Sequence, residues 1–356
     1  MQLIVYKGGS TWLGVYDEIV SEQVVISFDQ TPEWFEAYVM HVTEQPEGSL
    51  MVGVVDESSS RLLLGVPLLA AVSKRLSIRY LTSLTNYYTS LFQPIFQSAG
   101  QSQADAISFF VAALGDGSLA WDEISLEPLA GEAPFFGDFR NALERCKYPY
   151  TVNECFANWY YPTDGNSYET YENSLPSKLR HTLQRKQRKL DREVDSTIRI
   201  VHDNSDLSEF IHDYAAVYQK SWKSEESYPG FIHAIIESFA QKGWLRLGLM
   251  YVDGVPVAAQ LWFVKDGIAS IYKLAYDGKY AQYSVGTILT AAMMKHVLDV
   301  DQVRLVDFLT GDDAYKKDWM SHRQGRYRIR VYNRHTWRGR MLALWNMKIK
   351  HLFTAS

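Results

Sequence analysis

A chain of 356 residues with ordinary apolar and charged fractions is long enough for two domains, each able to bury its own core. Its net charge of −5 argues against a general polyanion binder. Cys146 and Cys155, its only two cysteines, lack CxxC or Cys/His spacing, which argues against a disulfide scaffold and a zinc site and for a reduced chain.

The opening Met1-Gln2-Leu3-Ile4-Val5-Tyr6 is strand-like, with neither a basic n-region nor a long apolar h-region. No segment approaches the roughly 18 to 20 uninterrupted apolar residues of a membrane span, so the cytoplasmic side is expected. Thr31-Pro32 starts a helix carrying Trp34, Phe35, Tyr38 and Val39, and residues 50–55 and 61–72 form a hairpin across Asp56-Glu57-Ser58-Ser59-Ser60. Asn86, Tyr87 and Tyr88 combine aromatic planes with amide and hydroxyl groups, a composition suited to a sugar or peptide acceptor, although tyrosines serve cores equally well. Residues 107–114 predict a helix, 120–126 a strand and 139–146 another helix. This first half is read as residues 1–160.

The turn-rich Tyr161-Pro162-Thr163-Asp164-Gly165-Asn166-Ser167 marks a boundary, and a linker with a basic helix occupies 161–195. That helix carries Lys178, Arg180, Arg185, Lys186, Arg188, Lys189 and Arg192 around an apolar seam of Leu179, Leu183 and Leu190. Ordinary exposed faces mix signs. The excess here leaves an anion contact open beside a merely solvated face.

In the last part, 196–356, residues 244–252 and 255–264 are β-rich runs joined by Asp253-Gly254, a strong hairpin signal, and a third run spans 267–276. Ser284, Val285, Gly286 and Thr287 then lead into a helix with Ile288, Leu289, Ala292, Met293 and Val297 at helical spacing. A helix start with free N–H groups and a close-approach glycine favours phosphate.

Alternation places Ile271, Lys273 and Ala275 on one face, so Lys273 is either functional or an edge lysine reaching water. Val303, Leu305, Asp307 and Leu309 likewise share a face. There Asp307 is a general base or the cap of the turn at Thr310-Gly311. Gln260, inside a strand, orients an acceptor or satisfies a neighbour. Asp312 and Asp313 precede a short helix through Trp319, which suits an N-cap. Beyond Trp319 the chain is basic: Arg323 to Lys350 contains no acidic residue, a strand holds Tyr327, Ile329 and Val331, and a terminal helix holds Trp337, Leu344 and Trp345. That helix either packs or rests on the cytoplasmic membrane face.

The hairpin, the Ser284-Val285-Gly286-Thr287 turn with its helix, and the stretch from Val306 to Trp319 resemble the GNAT acyltransferase superfamily, most of all the CelD/BcsL type associated with cellulose biosynthesis, related to Fem-type transferases. The usual pyrophosphate loop is Arg/Gln-x-x-Gly-x-Gly/Ala. This chain has Gln282-Tyr283-Ser284-Val285-Gly286-Thr287, with a single glycine. The resemblance implies an α/β fold of tandem GNAT-like domains, each a twisted mixed β-sheet flanked by helices, the first degenerate. It implies an acyl-CoA donor laid along the strand 268–276, past Tyr272, Leu274, Ala275 and Tyr276, whose backbone N–H polarises the thioester. It also places Tyr315 and Lys316 at the donor, with Lys316 touching phosphate or the developing oxyanion.

The resulting expectation is a metal-independent acyltransferase that uses acyl-CoA to modify an amine or hydroxyl of a cell-envelope or exopolysaccharide precursor. Two alternatives stay open: an aminoacyl-tRNA-dependent Fem-like transferase, and a non-catalytic scaffold of the same fold.

Overall fold

The structure, a computed structural model, describes residues 1–8, 12–16, 26–44, 46–97, 101–203, 205, 207–223 and 225–353. In chain order the strands are β1 (Gln2–Lys7), β2 (Ser49–Val55), β3 (Leu62–Val72), β4 (Arg79–Ser83), β5 (Ile95–Phe96), β6 (Glu123–Ala130), β7 (Tyr150–Pro162), β8 (Ser196–Val201), β9 (Leu245–Val252), β10 (Val255–Lys265), β11 (Ile268–Tyr276), β12 (Leu305–Thr310) and β13 (His322–Tyr332). The helices are α1 (Pro32–His41), α2 (Gln101–Ala113), α3 (Pro134–Arg145), α4 (Tyr168–Ser174), α5 (Ser177–Glu193), α6 (Leu207–Lys220), α7 (Pro229–Gln241), α8 (Val285–Asp299), α9 (Lys316–Trp319) and α10 (Trp337–Phe353).

The chain divides into two compact units, Met1–Ala157 with Gln324–Ser356, and Asn158–Arg323. The division differs from boundaries at 160 and 195, and the basic tail joins the first unit. Composition marked 161–167 as a linker, but its backbone is tied into the second unit. Thr163 donates its amide to Arg304 O (3.0 Å) and its hydroxyl to Val303 O (2.6 Å).

In the first unit the strand order is β1-β2-β3-β4-β6-β13, with β5 on β3. The β4–β6 pairing is parallel and the others antiparallel. Thr31 caps α1 by accepting from Trp34 N at 3.2 Å, the local reason the helix begins at Pro32. Helices α2 and α3 bury Phe110, Phe135 and Phe139 against the sheet, with Phe135 stacked on Phe139 at 5.2 Å.

In the second unit the order is β7-β12-β11-β10-β9-β8, with β11 and β12 parallel and the other pairs antiparallel. Asp253 and Gly254 have φ of 49° and 77°, and Asp266 and Gly267 have 49° and 72°. These left-handed pairs suit the twist of tight hairpins. Trp262 lies in a core with Tyr171 of α4, Leu183 and Leu190 of α5 and Leu289 of α8. Its neighbour Phe263 meets Phe239 of α7 at 4.7 Å. Adjacent strand residues face opposite ways, so α4, α5 and α8 cover one face and α7 the other. Mixed sheets flanked by helices thus occur in both units. Among the described residues no helix is long and apolar enough to cross a membrane.

Candidate functional site

Strands β11 and β12 pair for only three residues, from Ile268↔Leu305 to Ser270↔Asp307. Beyond that point β12 turns away: its register with β7 shifts between Asp307 and Thr310, and Leu309 takes a φ of +53°. Buried Asp307 holds this kink. Its Oδ1 accepts from Leu309 N at 2.7 Å, and Asn158 Nδ2 donates to both its oxygens at 2.8 and 2.9 Å. The bond to Leu309 N is turn-capping geometry.

Lys316 holds the other side of the kink. Its ammonium donates to Phe308 O (3.0 Å) and Thr310 O (2.5 Å) and lies 3.9 Å from Asp313. The side chain is only 4 % exposed, and burial lowers its pKa. Placed by resemblance at donor phosphate or oxyanion, it satisfies two backbone carbonyls of the kinked end of β12 in this structure.

The separation leaves the edge of residues 271–276 without pairing to β12, and a cavity of about 270 Å³ opens beside it. The strand contributes Leu274, Ala275 and Tyr276, and α8 contributes Gly286, Thr287 and Thr290. Trp222, Tyr315 and Trp319 close it, with Trp222 and Tyr276 rings 4.6 Å apart. Packing and Asp313 push the Tyr315 phenol up to about 12, so it stays protonated at neutral pH.

Gln260 forms one wall. Its Nε2 donates to Gly286 O (3.0 Å) and Thr290 Oγ1 (2.8 Å), and its Oε1 accepts from Trp262 Nε1 (2.9 Å). With both ends engaged it fixes the first turn of α8, the neighbour-satisfying reading.

The loop into α8 has its own logic. A 3-10 turn, Gly278–Tyr283, is capped by Asp277, which accepts from Lys279 N at 2.9 Å. Ser284, at φ 55°, reverses the chain and offers its carbonyl to Thr287 N and Ile288 N, without a side-chain cap. The amides of Val285 and Gly286 have no backbone acceptor among the described residues. A side chain at 286 would bring its Cβ to 3.1 Å from the Tyr276 ring, so glycine here lets the helix start seat against the strand end. The basic helix α5 backs the same loop. Lys186 donates to Gln282 O, Lys189 to Gln282 Oε1 at 3.2 Å, and the Lys189 ammonium sits 5.0 Å from the Tyr283 ring centroid.

Strict alternation fails in β11. Leu261 faces Lys273 and Trp262 faces Ile271, so Tyr272 is an extra, bulged residue. The expected single face of Ile271, Lys273 and Ala275 is therefore broken. Ile271 and Leu274 enter the core on the α8 side, while Lys273 meets Glu226 Oε2 at 2.7 Å and the Tyr218 ring of α6 at 5.5 Å. Burial lowers the Lys273 pKa against the opposing pull of Glu226. Beside it, burial and the charge of Lys273 bring Lys223 down to about 8, and Glu226, Lys316 and Asp313 also act on it.

The structure thus gathers Gln260, Leu274, Ala275, Tyr276, Gly286, Thr287 and Tyr315 around one cavity. Asp307, Lys316, Tyr272 and Lys273 are not among the residues that line it. Asn86, Tyr87 and Tyr88 lie in the first unit. There Asn86 Oδ1 accepts from Tyr88 N at 2.9 Å, and exposed Tyr87 lies on buried Tyr88 at 4.1 Å. Sequence reasoning missed Trp222, Lys223, Glu226 and Asn158. The helical periodicity of 207–220 and 229–241 was the available signal for the first three, because it isolates the short connection that carries them.

Residues 177–317 match the family model described as Acetyltransferase (GNAT) domain. No curated protein matches the chain. Among solved structures, FemX is similar at a TM-score of 0.62 and 10% identity, covering 92% of this chain and 97% of that one. L-PGS from Bacillus licheniformis is similar at 0.56 and 10% identity, covering 93% and 95%. A C-terminal domain (DUF2156) assigned to a lysylphosphatidylglycerol synthetase from Agrobacterium fabrum is similar at 0.55 and 13% identity, covering 97% of each chain. At such identities the likeness is one of fold: residues 177–317 carry the GNAT acetyltransferase domain fold, and the chain as a whole shares the fold of these solved structures.

Proposed function

We propose that the chain transfers an acyl group from acyl-CoA to an amine or hydroxyl acceptor by direct attack. The observation that carries this reading is the cavity shared by the open edge of β11, the two unaccepted amides at the start of α8 and the protonated Tyr315. The residues fit such a donor: a glycine seats the helix start against Tyr276, and Lys186 and Lys189 stand behind the loop as positive charge for phosphate. Acyl-CoA supplies a thioester carbonyl activated toward attack.

The chain's own groups do the rest. An amide on the unpaired edge of residues 271–276 receives the carbonyl oxygen, a contribution worth about 10²–10³ in rate where such donors have been removed. As the acceptor's nitrogen or oxygen bonds to the acyl carbon, the carbon–sulfur bond breaks. Tyr315 O–H protonates the departing thiolate, and the acceptor's proton leaves to solvent. Asp307, Asn158 and Lys316 hold β12 away from β11 so that the edge stays open. An acceptor from cell-envelope or exopolysaccharide metabolism, a cytoplasmic setting and contact with the membrane face rest on the family resemblance and the basic tail.

Acetyl-CoA titrated into the purified chain tests the reading. Micromolar binding that is lost in Gly286→Asp while the fold is retained supports it, and no heat with acetyl- or longer acyl-CoA refutes it. A second donor, aminoacyl-tRNA, is favoured by one observation: Lys178, Arg185 and Arg188 of α5 remain exposed after Lys186 and Lys189 are engaged. It requires tRNA binding whose affinity falls steeply with salt.

A further inference from the structure

A second cavity of about 530 Å³ lies in the same unit between α6 and α7, within the range of about 300–1,000 Å³ usual for small-molecule sites. Ile211, Ala215, Ile232 and Ile236 make its body apolar. One buried hydroxyl in it lacks a hydrogen-bond partner, and one ammonium forms no ion pair within 4 Å, among the described residues. Tyr214 is 5 % exposed, and its hydroxyl has no hydrogen-bond partner among the described residues. Burial keeps that phenol protonated, so it is an unmatched donor on a residue that lines the cavity. Lys223 also lines the cavity, with its ammonium 5.7 Å from the Tyr218 ring centroid. The neighbouring carboxylate, Glu226, is taken by Lys273 at 2.7 Å, and Glu225 is exposed at the rim. A half-buried ammonium without its own counterion gains from an anion, and an orphaned hydroxyl gains from an oxygen acceptor. Trp222 lines the donor cavity and the next residue, Lys223, lines this one, so the two spaces adjoin.

We infer that this cavity binds a small anionic amphiphile, an apolar body ending in a carboxylate or phosphate seated on Lys223 and the Tyr214 hydroxyl, and that this ligand is the acceptor. The acceptor role rests on the acyl-transfer reading; the binding does not.

Calorimetry on the full chain with decanoate, decyl phosphate, decanol and decylamine tests the site. At least one of the two anions is expected to bind about tenfold or more tighter than decylamine, and which of the two is preferred identifies the head group. Lys223→Met is expected to weaken that anion about tenfold, Tyr214→Phe several-fold, and Ile232→Trp, which fills the cavity, to abolish it. Absence of binding by all four probes, decylamine binding as tightly as the anions, or an affinity unmoved by both Lys223→Met and Tyr214→Phe overturns the proposal. Acetyl-CoA binding by the same variants shows that they are folded. Anion binding without acyl-CoA binding in the unsubstituted chain would leave this site standing and remove the acyl-transfer reading. For the acceptor role, 2-aminodecanoate with acetyl-CoA is expected to give the N-acetyl product and free thiol, with decanoate competing. No product, or product undiminished by saturating decanoate, overturns that role.

Discussion

Asn158 donates one amide nitrogen to both carboxylate oxygens of Asp307, at 2.8 and 2.9 Å, at the place where β12 leaves β11. The pair gives both oxygens of a buried carboxylate a donor at the point where the strands part after three residue pairs. Asn158→Leu removes both bonds and is expected to cost ~1–3 kcal/mol in urea denaturation. Asp307→Asn, which keeps the shape and most of the bonding, is expected to retain kcat within about tenfold. A loss of about 10² or more, with the fold intact, would return Asp307 to the role of base.

Gly286→Asp places a carboxylate where phosphate is expected and drives a Cβ toward the Tyr276 ring, 3.1 Å away. Acyl-CoA binding by calorimetry is expected to disappear while the circular dichroism spectrum is unchanged. Binding of unaltered strength would remove the loop from the site.

Tyr315→Phe deletes the proposed proton donor but keeps the aromatic wall of the cavity. A drop in kcat of about 10²–10⁴ with little change in donor affinity is expected. An equal effect on affinity alone would make Tyr315 a packing residue.

Gln260→Leu strips the partner from Trp262 Nε1 and removes one donor each from the Gly286 carbonyl and the Thr290 hydroxyl, which keep the bond between them. A destabilisation of ~1–3 kcal/mol is expected, together with a raised KM for the donor because the helix start is no longer anchored. Undisturbed KM in a destabilised variant would separate the residue from donor binding.

Lys223, lowered to about 8 from 10.5, gives two pH signatures. A lysine whose folded pKa lies below its unfolded one is a liability while both states are protonated. Stability should therefore rise between about pH 8 and 10.5 by at most ~3 kcal/mol, less for screening by water at a half-buried site. Lys223→Met is accordingly expected to be more stable than the parent at pH 7, with the difference closing above pH 10. Decanoate affinity should fall as pH rises through and somewhat above 8, since the anion itself holds the proton on. Lys273, Glu226, Lys316 and Asp313 face the same group, so the control is the flattened profile of Lys223→Met. A profile of equal slope in that variant would assign the titration elsewhere.

Much of this was legible in the chain. Asp253-Gly254 announced a hairpin because left-handed backbone closes such a tight turn, and both residues adopt it. The spacing of Ile288, Leu289, Met293 and Val297 announced α8, and Thr31-Pro32 announced α1 with its cap. Gly286, Thr287 and the strand end 274–276 were also named from pattern and resemblance, and they line one cavity, whereas Ser284 and Val285 do not line it.

What failed were inferences that assume an unbroken period. A single bulge at Tyr272 turns Lys273 away from Ile271, and the left-handed Leu309 breaks the row that Asp307 was read in. Bulges carry no composition of their own, so alternation cannot see them.

Local chemistry in the sequence, then, determined the turns, the helix starts and the order of strands and helices, because φ preferences and side-chain periods act over a few residues. Tertiary structure alone decided which polar groups find partners. Lys316 meets two carbonyls, Lys273 pairs with Glu226, and the Tyr214 hydroxyl is left without a hydrogen-bond partner among the described residues. Those outcomes depend on desolvation and on distances between segments far apart in the chain, quantities that exist only once the chain has folded.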